Sequence, residues 1–198
     1  MKYNEVSHMN ILTAENLSKS YTDRPLFQNI SFGIHNSDKI GIIGVNGTGK
    51  STLLKILAGI EIPDEGKVTT TNGLKINYLP QSPDFKPGTA VIDQVFQNSG
   101  PVMRLIQEYE QLLPLTDAQS GKRVLELSEK IDQLNAWGKE TEAKTILTKL
   151  GITDYQKDVG LLSGGQKKRV AMAAALLSDC ELLIMDEPTK DVYKRQPQ

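Results

Sequence analysis

The sequence predicts an α/β fold that begins with antiparallel β-strands and is interrupted by an inserted helical segment. Three observations indicate this class. Between Ile11 and Ile34, short segments alternate apolar and polar residues around the turn-forming run TDRP, as in a hairpin. Further on, a strand pattern and a helix pattern surround a glycine-rich loop at 44–51. From Val91 to Leu150, apolar residues recur at intervals of three and four, which indicates amphipathic helices.

The elements around the glycine-rich loop follow from local patterns. The run KIGIIG at 39–44 is compact and apolar, and it predicts a buried strand. In the helix after the loop, one face carries Leu53, Leu54, Leu57 and Ala58, and Gly59 suits the C-terminus. After a PDEG turn, residues 66–81 return to strands.

The rest of the chain alternates again between helix and strand. Pro114 and the polar run TDAQSG separate the first two helices of the inserted segment. The run LSGGQKKRVAMAAALLS at 162–178 predicts a loop that leads into a helix. The run ELLIMDEP at 181–188 predicts a buried strand that ends in acidic residues.

Composition narrows the function classes only slightly. The chain has 23 Lys and Arg against 24 Asp and Glu, so its net charge of -1 gives no bulk argument for binding nucleic acid or an anionic membrane. Cys180 is the single cysteine, which excludes an internal disulfide and suits a reduced thiol in the cytosol. His8 and His35 have no ligand-type neighbours at metal spacing.

The N-terminus and the apolar runs predict a cytoplasmic location. The first ten residues, MKYNEVSHMN, lack the basic-then-apolar layout of a signal peptide. The best apolar run, AMAAALL, is far too short to cross a bilayer. Met9 suits a translation start, so we interpret residues 1–8 as a disordered or upstream-translated lead.

The run GVNGTGKS at 44–51 predicts a phosphate-binding loop. Its glycines let consecutive backbone N–H groups point inward at phosphate oxygens, and the following helix adds its positive N-terminal end. Lys50 can reach the β and γ oxygens, and Ser51 offers a hydroxyl to Mg²⁺. Because strand and helix patterns flank this run, a chance glycine-rich turn is the weaker interpretation.

Two adjacent acids at the end of the last strand predict the second half of such a site. Asp186 lies at the mouth of an apolar strand, where a carboxylate can hold Mg²⁺ opposite Ser51. Glu187 follows at a point where the chain bends, so it can face the γ-phosphate and polarise the attacking water. Without the glycine loop, a surface acid beside a proline turn would be the better interpretation of Glu187.

The run LSGGQ at 162–166 predicts a second anion site. The Ser163 hydroxyl and the N–H groups of Gly164 and Gly165 open a helix and can donate to an anion. Two anion sites per nucleotide make sense if the second one serves the γ-phosphate of a nucleotide held by a partner domain. An ordinary serine-capped helix would not require two glycines together with Gln166.

Together, in this order and with a helical stretch between them, these motifs resemble the ATP-binding cassette domain, a P-loop NTPase with an N-terminal antiparallel β subdomain and an inserted helical subdomain. The resemblance spans essentially Ile11 to Thr189. It implies ATP and Mg²⁺ as cofactors and ATP hydrolysis as the reaction. It implies catalytic roles for Glu187, Lys50 and Gln81, and metal-binding roles for Ser51, Gln81 and Asp186. The nucleotide-binding residues that it implies are Tyr21, Gly44, Asn46, Gly47, Thr48, Gly49, Lys50, Ser51, Thr52, Ser163, Gly164, Gly165 and Gln166.

Two of these roles have simpler alternatives. Tyr21 matches the aromatic position that stacks on adenine, and its alternative is an ordinary aromatic residue of the sheet. Gln81, in the run YLPQ, matches the glutamine that approaches Mg²⁺ and senses the γ-phosphate. Its alternative is a loop amide beside prolines.

Two stretches of the sequence are similar to the Uup-like branch of the ABC-F group. One is the opening, with the runs MNILTAENLSKSY, LFQNISFGI and DKIGIIGVNGTGKSTLLKILAG, and the other is the helical stretch. That resemblance implies a soluble protein with two cassettes in one chain, no membrane insertion, and action on the ribosome in translation. The helical segment, about 92–150, would form a short arm, although its basic residues alternate with acids and make no convincing RNA patch. The alternative is the ATP-binding subunit of a membrane transporter, which shares every ATP-site motif. A DNA-repair ATPase with a long coiled-coil arm is excluded because the insertion is too short.

The last residues depart from the cassette pattern. We interpret 9–189 as a truncated first cassette whose partner, a second cassette, is expected further along the same chain. The tail at 190–198 contains DVYKRQ, which can be encoded by a sequence that resembles a transposase end used in library preparation, so it is interpreted as non-native. The resemblance calls next for a further loop and a histidine at the γ-phosphate. We therefore expect hydrolysis from the intact parent protein and little or none from this fragment.

Overall fold

The structure is a computed structural model that describes residues 9–21, 24–98, 100–134 and 136–188. The proposed lead at 1–8 and the proposed tail at 190–198 lie outside these residues. The chain divides into two compact units. The first comprises Met1–Tyr78 and Cys180–Asp186, and the second comprises Leu79–Asp179 and Glu187–Gln198.

The first unit contains the antiparallel sheet that the sequence predicts. Strand β1 (Asn10–Ser20) lies in the centre and pairs with β2 (Pro25–His35) on one side and β3 (Glu65–Thr70) on the other. The β1–β2 register shifts between Ala14 and Leu17, where Asn16 has a φ of 51°. This irregularity lets both Ala14 and Leu17 be buried although they lie three positions apart.

Helix α1 (Lys50–Leu57) supplies the other side of this unit's core. Its apolar face buries Leu53 and Leu57, as the helical spacing predicts. Leu54 and Ala58, predicted for the same face, are only partly buried against this core. Gly59 follows the helix with a φ of 71°, a left-handed conformation that suits glycine. The buried core cluster comprises Ile11, Leu12, Ala14, Leu17, Ile34, Leu53, Ile56, Leu57 and Ile184.

A second, two-stranded sheet joins distant parts of the chain. It pairs β4 (Ile76–Leu79) with β5 (Leu182–Met185). The predicted final strand is therefore confirmed, but its burial is incomplete, since Ile184 is buried and Met185 is 38% exposed.

The predicted buried strand at 39–44 is wrong. These residues belong to no strand or helix, and the Ile43 side chain is 97% exposed. A strand exists only where a neighbouring strand satisfies its backbone N–H and C=O groups. No strand in the described part of the chain pairs with this run. The apolar run therefore predicted a strand, but the described part of the chain contains no strand that pairs with it.

The second unit is helical. Its helices are α2 (Val91–Asn98), α3 (Pro101–Leu112), α4 (Ala118–Gln133), α5 (Lys139–Lys149) and α6 (Gly164–Leu177), with a short 3₁₀ turn at Val159–Leu161. The break predicted at Pro114 and TDAQSG is confirmed, since it separates α3 from α4. Asp117 caps α4 by accepting a hydrogen bond from the Ser120 backbone N–H at 2.8 Å.

Within this unit, α6 packs against α2 and α5. It buries small and branched side chains on several faces, including Val170, Ala173 and Ala174. Small side chains let neighbouring helices approach closely. Among the residues that the structure describes, no helix has both the length and the apolar character needed to cross a bilayer.

Candidate nucleotide and magnesium site

The glycine-rich loop is closed by side chains that bond to its own carbonyls. Lys50 Nζ donates to the carbonyl oxygens of Gly44 at 2.9 Å and Val45 at 2.8 Å. Thr48 Oγ1 donates to the same Val45 oxygen at 2.9 Å. The Lys50 ammonium therefore lies across the loop, next to the backbone that the sequence assigns to phosphate. Asn46, on the same loop, is exposed, and Thr52, in the first turn of α1, is buried.

The loop needs glycine at two positions. Gly47 has a φ of 83° and Gly49 a φ of 84°, in the left-handed region that other residues enter only with strain. Gly49 is also the N-cap of α1, and a Cβ atom there would lie 2.9 Å from Leu26 Cβ. A side chain at Gly49 would thus disturb both the backbone and the packing against β2.

Ser51 and Asp186 meet in the first unit, as the two sequence motifs predict. Ser51 Oγ donates to Asp186 Oδ1 at 3.0 Å. The Asp186 side chain is buried, with an exposed fraction of 4%. A buried carboxylate needs hydrogen-bond donors, because desolvation of its charge is costly.

Sequence reasoning missed the second donor to this carboxylate, Tyr78. Its hydroxyl donates to Asp186 Oδ2 at 3.3 Å. Burial, followed by the negative charge of Asp186 and this hydrogen bond, raises the pKa of Tyr78 to about 12, so the tyrosine keeps its proton at neutral pH. No local pattern could have identified Tyr78, because its role depends on the pairing of β4 with β5.

The donor set fits a magnesium ion. The Ser51 hydroxyl and the Asp186 carboxylate are hard oxygen donors, which Mg²⁺ prefers, and they are already adjacent. The described residues contain no cluster of three or more His, Cys, Asp and Glu that could hold a metal alone. Mg²⁺ that is bound together with nucleotide phosphates typically has only one or two carboxylate ligands from the protein.

Gln81 and Glu187 meet in the second unit. Gln81 Nε2 donates to Glu187 Oε2 at 2.5 Å, across 106 positions of the chain. Glu187 has a φ of 48°, a left-handed conformation that costs a non-glycine residue about 1–2 kcal/mol. The chain bend expected at Glu187 is thus present as a strained backbone conformation. Strain of this kind clusters at functional sites.

The LSGGQ run begins α6 with a capping box. Ser163 Oγ accepts from the Gln166 backbone N–H at 3.3 Å, and Gln166 Oε1 accepts from the Ser163 backbone N–H at 3.0 Å. A serine-capped helix therefore does account for Gln166, contrary to the expectation from the sequence. It does not account for the glycines. A Cβ at Gly164 or Gly165 would meet nothing within 4 Å, so packing within the described residues does not require glycine there.

Tyr21 lies at the end of β1 in a small polar network. Its hydroxyl donates to the Glu61 carboxylate, and Lys19 Nζ lies 5.7 Å from the centre of its ring. Lys19 also bonds to Asp64 Oδ1 at 2.9 Å. The Tyr21 side chain is 62% exposed, so much of its surface is open to solvent. This arrangement holds the ring at its hydroxyl end.

The fold and the loop together define an α/β P-loop protein with a separate helical unit. A family model described as "ABC transporter" matches residues 27–190. The chain therefore belongs to this family, whose ATP-binding cassettes are ATPases with the ABC-type P-loop fold.

Individual relatives are consistent with this assignment. The chain is 46% identical over 186 residues to the uncharacterized ABC transporter ATP-binding protein YfmR of Bacillus subtilis, covering 91% of the chain and 30% of that protein. It is 33% identical to the energy-dependent translational throttle protein EttA of Escherichia coli, covering 84% of the chain and 31% of that protein. The ATP-binding protein Uup of Haemophilus influenzae is 31% identical, with 91% of the chain and 28% of that protein covered.

The structural comparison agrees. A solved structure of the complex of the archaeal ribosomal stalk protein aP1 and the archaeal ribosome recycling factor aABCE1 matches 96% of the chain and 30% of the compared chain, with a TM-score of 0.66 and 29% identity. The chain thus spans about 30% of the length of the relatives that it matches.

Proposed function

We propose that residues 9–189 are the first cassette of a cytoplasmic ABC-F protein of the Uup-like branch that binds and hydrolyses ATP and acts on the ribosome in translation. The observation that carries the ATPase part is the hydrogen bond from Ser51 to the buried Asp186. Ser51 is the last residue of the run at 44–51 that has the phosphate-binding pattern. The translational part rests on the similarity to EttA and Uup.

Lys50 and the loop amides are the proposed binders of the triphosphate. The Lys50 ammonium bonds to two loop carbonyls, which positions it at the loop. Its positive charge and the N-terminal end of α1 both oppose phosphate charge. Thr48 and Thr52 flank the lysine on the loop and the first turn of the helix.

Ser51 and Asp186 are the proposed holders of Mg²⁺. When bound, Mg²⁺ neutralises charge on the phosphate oxygens and orients the phosphoryl group that is transferred. The two side chains supply adjacent oxygen donors from separate elements, α1 and the end of β5.

Gln81 and Glu187 are the proposed sensor and water-orienting residues. A carboxylate that orients water must be able to accept its proton or its hydrogen bond. The Gln81 amide donates to Glu187, which fixes the orientation of the carboxylate in the second unit. The strained backbone of Glu187 supports a functional rather than a structural reason for its position.

The start of α6 is the proposed contact to a second cassette. Gly164 and Gly165 leave open space where other residues would place side chains, so the backbone of a nucleotide-bound partner could approach closely. Ser163 keeps a hydroxyl proton to donate, because its oxygen acts as the acceptor in the capping box. ATP held between two cassettes would favour their closed arrangement, and hydrolysis would release it.

The alternative function is the ATP-binding subunit of a membrane transporter. It shares every motif of the nucleotide site, so the site geometry does not separate the two. The similarity to EttA, an energy-dependent translational throttle protein, and to aABCE1, a ribosome recycling factor, supports the translational function.

The test is Glu187→Gln in the full-length protein. Loss of the water-orienting carboxylate should lower the ATP turnover rate at this site at least about 100-fold while ATP binding is retained. The variant should then co-sediment with ribosomes in the presence of ATP. Glu129→Gln, on the exposed part of α4, is the matched control and should behave like the wild type.

Each outcome decides one part of the proposal. Unchanged turnover in Glu187→Gln would refute the role of Glu187. Lost turnover without ribosome binding, together with ATP-dependent binding to a membrane protein complex, would replace the translational function with the transporter function.

A further inference from the structure

We infer that Tyr78 is a positioning residue for the magnesium site: its hydroxyl fixes the Asp186 carboxylate in the orientation that holds the metal. The inference rests on the proposed function of Ser51 and Asp186. It gives a role to Tyr78, the first residue of the run YLPQ, in which the sequence pointed only to Gln81. All three side chains belong to the first unit.

Each oxygen of the Asp186 carboxylate has its own donor. Ser51 Oγ donates to Oδ1 at 3.0 Å, and Tyr78 Oη donates to Oδ2 at 3.3 Å. The terminal torsion of an aspartate is broad, so a single hydrogen bond leaves the carboxylate free to rotate. A second donor at the other oxygen removes that freedom. Ser51 is itself a proposed metal ligand. Of the two donors, Tyr78 is therefore the one whose proposed role is only to orient the carboxylate.

The pairing of β4 with β5 explains why Tyr78 can reach this carboxylate. The Lys75 carbonyl accepts from the backbone N–H groups of Glu181 at 2.9 Å and Leu182 at 3.2 Å, so the two strands begin side by side. Tyr78 lies near the end of β4 and Asp186 directly follows β5, and the hydroxyl of the one is 3.3 Å from Oδ2 of the other.

The burial of Asp186 increases the effect of losing this second donor. With an exposed fraction of 4%, the carboxylate has little access to water that could replace a lost hydrogen bond. The Tyr78 ring is partly buried against the core cluster of the first unit. The ring therefore serves packing and the hydroxyl serves Asp186, and Tyr78→Phe separates the two because it keeps the ring.

The experiment measures metal binding directly. Mn²⁺ is titrated into the ATP-saturated full-length protein, and free Mn²⁺ is followed by electron paramagnetic resonance. The Mn²⁺ binding that is lost in Asp186→Asn, seen as a larger signal of free Mn²⁺, defines the site that contains Asp186. For Tyr78→Phe we expect the Mn²⁺ affinity of that site to fall about tenfold, the low end of the effect of removing a partner behind a metal ligand. ATP affinity measured in EDTA should be unchanged.

The matched control is Tyr155→Phe in the second unit. It removes a hydroxyl that is also hydrogen-bonded, since Tyr155 Oη lies 2.6 Å from Thr148 Oγ1, but it does not touch Asp186. The control should retain wild-type Mn²⁺ affinity. Thermal unfolding of each variant checks that the chain still folds.

The outcomes separate this inference from the proposed function. If Asp186→Asn leaves Mn²⁺ binding unchanged, the proposed metal role of Asp186 is wrong and Tyr78 has nothing to position. If Asp186→Asn weakens Mn²⁺ binding but Tyr78→Phe matches Tyr155→Phe, the function stands and Tyr78 is only a packing residue. An equal loss of Mn²⁺ affinity and of ATP affinity in EDTA would identify a general loosening and would also overturn the inference.

Discussion

Ser51 Oγ and Asp186 Oδ1 are hydrogen-bonded at 3.0 Å although 135 positions separate them in the sequence. The bond joins the first turn of a helix to the end of a strand from the other end of the chain. It brings an oxygen donor of the glycine-rich motif to a carboxylate that is almost fully buried. The stability of the protein and the proposed metal binding therefore depend on the same contact.

Ser51→Ala should destabilise the protein in the absence of nucleotide and Mg²⁺. The change leaves Asp186 Oδ1 without its donor in a buried environment, which costs about 1–3 kcal/mol of unfolding free energy. The higher helix propensity of alanine offsets only a few tenths of this. Urea denaturation measures the difference. Ser82→Ala, at an exposed position, is the control, and equal stabilities of the two variants would contradict the prediction.

Lys50→Ala should weaken nucleotide binding. The ammonium lies at the loop, and loss of hydrogen bonds to charged phosphate corresponds to about 10- to 100-fold in affinity. Isothermal titration calorimetry with ATP measures the effect. Lys55→Ala, in the last turn of the same helix, serves as the control. Wild-type affinity in Lys50→Ala would refute the assignment of phosphate binding to this loop.

Glu61→Gln should lower the affinity for ATP more than that for inorganic tripolyphosphate. Glu61 accepts the Tyr21 hydroxyl, and this bond holds the ring that we propose to stack on adenine. Neutralising the acceptor weakens a charge-assisted hydrogen bond but leaves the phosphate loop untouched. Competition binding with the two ligands measures the ratio of affinities. Glu65→Gln is the control, and an unchanged ratio in Glu61→Gln would argue against this role of the network.

The stability of the protein should fall as pH rises from about 4.5 to about 7, in part because of Glu110. Its pKa is raised from 4.5 to about 7 by a hydrogen bond with Glu140, by partial burial and by the charge of Glu140; Asp93 adds to the shift and Lys144 opposes it. In this window the folded state binds more protons than the unfolded state, so unfolding becomes easier as pH rises.

Glu110→Gln should make stability less dependent on pH between 4.5 and 7. Since the Glu110 side chain is largely exposed, solvent screening keeps the expected difference below about 1 kcal/mol. Urea denaturation at several pH values measures it. The control is Glu129→Gln on α4, which should retain the wild-type slope. A wild-type slope in Glu110→Gln would show that the carboxyl pair does not control this dependence.

Local patterns predicted the elements that local chemistry specifies. Helix α1 follows from the spacing of its apolar residues, and the break between α3 and α4 follows from Pro114 and the polar run TDAQSG. The hairpin of β1 and β2 follows from alternation and a turn. These signals lie within a few residues of the elements that they predict.

Elements that need a distant partner were not predictable in the same way. The run at 39–44 looked like a buried strand, yet no described strand pairs with it, and Ile43 is almost fully exposed. An apolar pattern cannot tell whether a neighbouring strand exists. The capping box of α6 is a different case, because Ser163 and Gln166 are three positions apart and the pattern S-x-x-Q indicates such a box locally, although the sequence also suggests an anion site there.

By itself, the sequence determined the glycine-rich loop, the helix that follows it, and the acids at the end of the last strand, because backbone conformation and helix capping depend on neighbouring residues. Only the tertiary structure decided that Tyr78 shares the Asp186 carboxylate with Ser51, and that Gln81 meets Glu187. These contacts join residues that are 106 to 135 positions apart. Strand pairing and core packing create such contacts, and both depend on the whole chain rather than on any one segment.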